Sequence, residues 1–277
     1  MKLPRAILVA HLFPETLEAL IQLLNGLSTV EWSQPTVCAG WSVREVALHL
    51  LAVEISNVSR KRDGHSIVPE KTIRSDQDLL EFINFLNESW MKAAQRISTP
   101  LLIDLIRYVG QKANEFFASI DPFELGEPVS WAGSEPAPHW LDLAREYTER
   151  WHHQQHIRDA VGIPGLKEPR FFAPILDAFV RALPYTYRDV AAAEGTCVTL
   201  TISGDSGGQW TLQREGERWK LYVGAKQPPD AVVTLDQEDA WRLFTKGLDP
   251  TQARARSSLQ GDENLTGKIF QMVSIIA

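Results

Sequence analysis

Glu149-Arg150-Trp151-His152-His153-Gln154-Gln155-His156-Ile157-Arg158 places one carboxylate and three imidazoles within ten consecutive residues. The run lies inside Trp140 to Val161, which contains neither glycine nor proline and is followed by Gly162-Ile163-Pro164-Gly165, so it reads as a helix with a built-in stop. Residues four apart share a helical face, so Glu149 and His153 can reach a single metal ion, and His156 falls on nearly the same stripe. His152 and His156 are also four apart, and spacing does not choose between the two pairs. A solvated Glu149–His153 pair, stabilising the helix by roughly 0.2–0.5 kcal/mol, is the plainer alternative. Outside the cluster the chain has only His11, His49, His65 and His139.

Working outward from this helix, the preceding sequence is also helical. Pro14-Glu15 opens a segment with Leu17, Leu20, Ile21 and Leu24 at helical spacing, over about 14 to 25. Ser42 and Glu45 stand in the capping-box arrangement and start a helix from Val43 to about Arg62. Leu79, Leu80, Ile83, Leu86 and Trp90 mark a further helix from 75 or 76 to about 97, which Pro100 is expected to break, and Leu101 to Ser119 forms another. A bundle of four main helices accounts for this half. Beyond it, Pro174 to about Glu194 reads as a connecting helix interrupted by Pro184.

Strand periodicity then takes over in Cys197–Ser203, Gly208–Arg214, Arg218–Val223 and Ala231–Leu235. A helix follows around Asp239 to Lys246 and a last one spans about Asn264 to Ile275. The chain is therefore expected to be α+β, with a helical bundle over 1–165 and a smaller α+β domain, an antiparallel meander followed by helices, over 166–277.

With 277 residues and a net charge of −7, the chain can bury a sizeable core and is ill suited to nucleic acid. No stretch approaches the ~20 apolar residues that cross a bilayer, and the first residues lack an export signal, so a soluble cytoplasmic protein is expected. Cys38 and Cys197 are too far apart in sequence to form a CxxC site.

A catalytic zinc site takes three protein ligands and keeps one position open. The donor missing from Glu149 and His153 must come from elsewhere, and His49 is the best placed because it lies in Val46-Ala47-Leu48-His49-Leu50-Leu51, an otherwise apolar stretch. A histidine there needs a partner to offset desolvation, although a backbone carbonyl would also serve. His65 and His139 read as loop residues, and Cys38, beside Trp41, as a small buried hydrophobe.

Pro35-Thr36-Val37-Cys38-Ala39-Gly40-Trp41-Ser42-Val43-Arg44-Glu45-Val46-Ala47-Leu48-His49-Leu50 resembles the P-T-x-C-x-G-W-(S/T)-V signature, ending in histidine, of the mycothiol-dependent maleylpyruvate isomerase family, within the wider DinB/YfiT-like metalloproteins. Glu149-x-x-x-His153-x-x-His156-Ile157-Arg158 resembles that family's E-x-x-x-H-x-x-D-I-R element. More weakly, Ala231–Asp236 and Leu259–Leu265 resemble its C-terminal domain, which is related in style to sterol-carrier-protein domains.

The resemblance implies a DinB-like four-helix bundle in which His49, Glu149 and His153 hold a divalent metal, usually zinc. It implies a low-molecular-weight thiol as cosubstrate, mycothiol by family and bacillithiol or ergothioneine as other options, acting on a small electrophile. In the isomerase a thiolate adds to the activated double bond of maleylpyruvate, rotation follows, and elimination gives the trans product; related members are thiol S-transferases. The protein is expected to act as a monomer or homodimer. The family's aspartate is His156 here, which makes His156 a candidate catalytic residue or a partner of the ligands. Arg158 keeps its family position as a candidate clamp for a carboxylate of substrate or thiol, and Arg60 is a further candidate for thiol binding. A non-catalytic small-molecule or lipid binding or sensing protein is the competing reading.

Overall fold

The structure, a computed structural model, describes residues 1–69, 71–225 and 228–275. The chain divides into two compact units that interleave in sequence. One comprises Ala10–Asp121 and Glu149–Gly165; the other comprises Met1–Val9, Pro122–Thr148 and the chain from Leu166 onward.

The first unit is helical: α1 (Phe13–Gly26), the short α2 (Thr29–Trp32), α3 (Val43–Ser56), α4 (Asp76–Ala94), α5 (Thr99–Ser119) and the second half of α6 (His139–Val161). The apolar stripe read for α1 enters one core, where Leu20, Ile21 and Leu24 of α1, Val46, Leu50 and Leu51 of α3, Leu102 and Ile106 of α5 and Ile157 of α6 are buried together, whereas Leu79, Leu80, Ile83 and Leu86 of α4 are only partly buried. Among the described residues helix α4 contributes only Ala94 to the buried part of that core, with Trp90 and Met91 partly buried beside it. Burying each large aliphatic side chain stabilises the unit by about 1.5–3 kcal/mol.

The start of α3 is as the capping box predicts: the Glu45 carboxylate accepts from the Ser42 backbone N–H at 3.0 Å and from the Ser42 hydroxyl. After Ser56 the helix widens into a π-helical turn, Asn57–Arg62. Pro100 breaks nothing. It occupies the first turn of α5, where its missing N–H has no intrahelical partner to lose.

The second unit carries one five-stranded sheet of β1 (Cys197–Ser203), β2 (Gly208–Glu215), β3 (Arg218–Val223), β4 (Ala231–Asp236) and β5 (Ser258–Gly261), in the order β3-β2-β1-β4-β5. Strands β1 to β3 form the expected antiparallel meander, but β4 returns to lie parallel to β1, with Leu200 opposite Val233. The alternating Val198, Leu200, Ile202, Val233 and Leu235 are buried, the pattern of a sheet face covered by helices. The helices of this unit include α7 (Pro169–Val180), α8 (Leu183–Thr186), α9 (Gln237–Phe244), α10 (Pro250–Ala255) and α11 (Glu263–Ile269), of which α8, α9 and α11 pack on the strands.

The connecting helix differs from expectation. It begins at Pro169, carries Pro174 inside it and ends at Val180, with α8 a separate turn. The last helix also stops earlier, at Ile269. Among the described residues no helix is long and apolar enough to cross a membrane.

Candidate metal centre

Helices α3 and α6 supply the site, and a buried ion pair joins them. Arg150 donates to both carboxylate oxygens of Glu54, at 2.6 and 2.7 Å, while its guanidinium lies 4.9 Å from the ring centroids of both Phe13 and Phe117. Glu149 is the residue before Arg150, and His49 lies one and a half helical turns before Glu54. The ion pair therefore joins the two helices beside Glu149 and within two turns of His49.

There, Nε2 of His49 and Nε2 of His153 each lie 3.1 Å from the same atom, Oε1 of Glu149. The three residues offer ligand atoms that all fall within 4.8 Å of one another. Burial acts to raise the Glu149 carboxyl, but the imidazoles of His153, His49 and His152 outweigh it and hold the group well below the usual carboxylate range. Burial, together with the adjacent His152, pushes His153 down to about 3. Glu149 is thus a carboxylate and His153 a neutral imidazole at pH 7, the protonation states in which both can ligate a metal.

This donor set fits a divalent ion. Ligand distances of about 2.0–2.2 Å in tetrahedral geometry put donors roughly 3.3–3.6 Å apart, close to the spacing seen, and two imidazoles with one carboxylate match the ligands of catalytic zinc sites. The Nδ1 atoms of His49 and His153 are buried without a hydrogen-bond partner among the described residues.

The Pro35–Ser42 loop brings two more side chains to this centre. Thr36 ties it off, its N–H and hydroxyl both donating to the Trp41 carbonyl at 3.0 and 2.8 Å, and its hydroxyl accepting from the Cys38 N–H at 3.2 Å. Gly40 adopts φ +78°, which closes the turn and is open to glycine at little cost. Trp41 then packs on His49, with ring centroids 5.1 Å apart, and Cys38 Sγ lies 3.2 Å from Nδ1 of His156. Burial pushes the Cys38 thiol up, so it enters this contact as a neutral S–H.

A family model described as the mycothiol maleylpyruvate isomerase N-terminal domain matches residues 13–158, which spans all three residues of the candidate triad. The chain belongs to the mycothiol maleylpyruvate isomerase family. Two solved structures similar to this family member are the mycothiol-dependent maleylpyruvate isomerase and a histidine-to-alanine mutant of it. They are 13% and 12% identical to it, with TM-scores of 0.47 and 0.49; each comparison covers 84% of this chain and 86% of the other. No curated protein matches it in sequence.

Within this isomerase-family chain, the structure brings His49, Glu149, His153 and His156 together, and places His152 beside them with its ring 4.1 Å from that of His153. Arg158 is engaged elsewhere. Its guanidinium donates to the carbonyls of Pro164 at 3.1 Å and of Ile163 and Ala19 at 3.4 Å, and a Cβ on Gly165 would come within 2.7 Å of it. Arg60 is exposed on the π-helical turn. Sequence reasoning missed the Glu54–Arg150 pair and the approach of Cys38 to His156. Each joins residues about a hundred positions apart, although a glutamate inside Leu50-Leu51-Ala52-Val53-Glu54-Ile55 was a visible signal for the first.

Proposed function

We propose that this family member is a metal-dependent enzyme that uses a low-molecular-weight thiol on a small electrophile, as a maleylpyruvate isomerase-like cis–trans isomerase or as a thiol S-transferase. The observation that carries the reading is the convergence of His49 Nε2 and His153 Nε2 on one oxygen of Glu149. In this reading His49, Glu149 and His153 hold a divalent ion, zinc by the nature of the donors, and leave room for a further ligand. Such an ion supplies Lewis acidity that keeps a bound thiol deprotonated near neutral pH.

The protein's own residues do the rest. The Glu54–Arg150 clamp holds α3 and α6 in register, so the donors are preorganised. Trp41 covers one side of His49 and limits water there. Arg158 fixes the C-terminal end of the cluster helix through backbone carbonyls and acts in this reading as a positioning residue, while Arg60 remains a candidate for an anionic group of thiol or substrate. His156 accepts from or donates to Cys38 and sets the orientation of the loop that carries Trp41.

The test combines elemental analysis with turnover. About one zinc per chain in the purified protein, lost in His49→Ala, together with thiol-dependent loss of maleylpyruvate absorbance, is the expected result. Metal present but no turnover of maleylpyruvate with mycothiol, bacillithiol or ergothioneine would remove the isomerase assignment. Absence of metal from the wild type would favour a binding or sensing protein.

A further inference from the structure

Cys38, His156 and His153 form a second cluster of donors whose ligand atoms also lie within 4.8 Å of one another. It differs from the first in composition: sulfur and two nitrogens in place of two nitrogens and an oxygen. Cys38 Sγ lies 3.2 Å from His156 Nδ1, and the His153 ring stands edge-on to His156 with centroids 5.3 Å apart, so the donor that serves the first set also borders the sulfur. His153 and His156 are three apart on α6 and therefore share a face, and His153 is buried with an Nδ1 that has no hydrogen-bond partner among the described residues. The loop that delivers the sulfur is held by three hydrogen bonds through Thr36, so Cys38 is positioned rather than carried on a loose tip.

We propose that Cys38, His153 and His156 are a second metal-binding set that takes a thiophilic ion through sulfur, in competition with the His49–Glu149–His153 set. Thiolate with imidazole selects soft and borderline ions, whereas a set containing carboxylate also accommodates harder ones. On binding, the S–H bond breaks, a metal–sulfur bond forms and the proton passes to solvent; the ion keeps its oxidation state. Because His153 belongs to both sets, one ion per chain is held at a time. A thiophilic ion seated on Cys38 is drawn away from His49 and Glu149, so such ions act as inhibitors of the site proposed above. The inference extends that reading through His153, and its test reads sulfur ligation directly.

The metal-free full chain is loaded with Cd2+ and examined by cadmium-edge X-ray absorption and by the near-ultraviolet sulfur-to-cadmium charge-transfer band. Cadmium–sulfur scattering in the wild type is expected, with the band lost in Cys38→Ser and retained, at one Cd2+ per chain, in His49→Ala. Far-ultraviolet circular dichroism checks that each variant folds, and the wild-type scattering needs no variant at all. Wild-type protein saturated with Cd2+ but lacking sulfur scattering would overturn the proposal, as would a band that survives in folded Cys38→Ser and so arises from Cys197. Failure of the first reading looks different: zinc content unchanged in His49→Ala and in Glu149→Gln, whatever the cadmium spectra show.

Discussion

Arg150 and Glu54 form a two-pronged ion pair, both side chains nearly closed to solvent, one residue away from the carboxylate on which His49 and His153 converge. Removing one member leaves a buried charge without its counter-ion, which typically costs about 3–5 kcal/mol. Glu54→Ala is expected to lose that much in urea unfolding and to lower zinc content as α3 and α6 lose register. Replacing both residues with apolar ones of similar volume should recover most of the stability, because the desolvation cost disappears with the charges. Unchanged unfolding midpoints in Glu54→Ala would show that the pair does not organise the site.

Gly40 sits at φ +78° in the loop that presents Cys38 and Trp41. A side chain in this left-handed region costs roughly 1–2 kcal/mol, and nothing lies within 4 Å of where a Cβ would go, so the penalty is conformational rather than steric. Gly40→Ala is expected to destabilise by about that amount and to speed modification of Cys38 by a thiol reagent, since the loop that half-buries it relaxes. Modification at the wild-type rate would mean that the loop tolerates the strain without moving.

The helices and strands were legible in the sequence wherever one periodicity ran long enough. Ser42 and Glu45 announced α3, and the alternation in Cys197–Ser203 announced β1. What escaped notice depends on partners distant in the chain. Strand β5 is four mostly exposed residues, Ser258–Gly261, with no alternating pattern; pairing with β4 makes it a strand. That β4 lies parallel to β1 is a fact of tertiary return, invisible in either strand alone. Pro174 sits within α7, where the sequence suggested a start, because neighbours such as Phe172, Ile175 and Phe179 bury the helix firmly enough to absorb one missing hydrogen bond. At the site, the Glu149–His153 pair was readable from spacing, whereas Cys38 looked like a small hydrophobe because His156 is 118 positions away.

Tyr187 is fully buried in the second unit and its hydroxyl donates to the Leu265 carbonyl, tying the turn after α8 to α11. Burial pushes the phenol far up, so it is protonated and donates at neutral pH. Tyr187→Phe preserves the ring contact with Trp219 but removes one hydrogen bond from the Leu265 carbonyl, which keeps its place within α11, at a cost of about 0.5–1.5 kcal/mol. Calorimetry on the full chain would register this as a lower transition temperature with zinc content unchanged. Equal transition temperatures would indicate that water replaces the hydroxyl.

Acid should act first through His153. In the metal-free folded chain His153 is pushed down to about 3, while in the unfolded chain it titrates near its ordinary 6.5. Between those values the unfolded state binds the extra proton, so the contribution to stability is complete above about pH 6.5 and is lost progressively as pH falls towards 3. One proton corresponds to at most ~1.4 kcal/mol per pH unit. Glu149, held low in the fold, adds a loss of the same sign as pH falls through and below about 4.5, its ordinary value. Urea unfolding of the metal-free protein between pH 7 and 5 is therefore expected to show a slope that is smaller in His153→Asn by close to one proton. Equal slopes in the two proteins would mean that His153 is already protonated in the fold, and with it that the imidazole is not held ready as a neutral ligand.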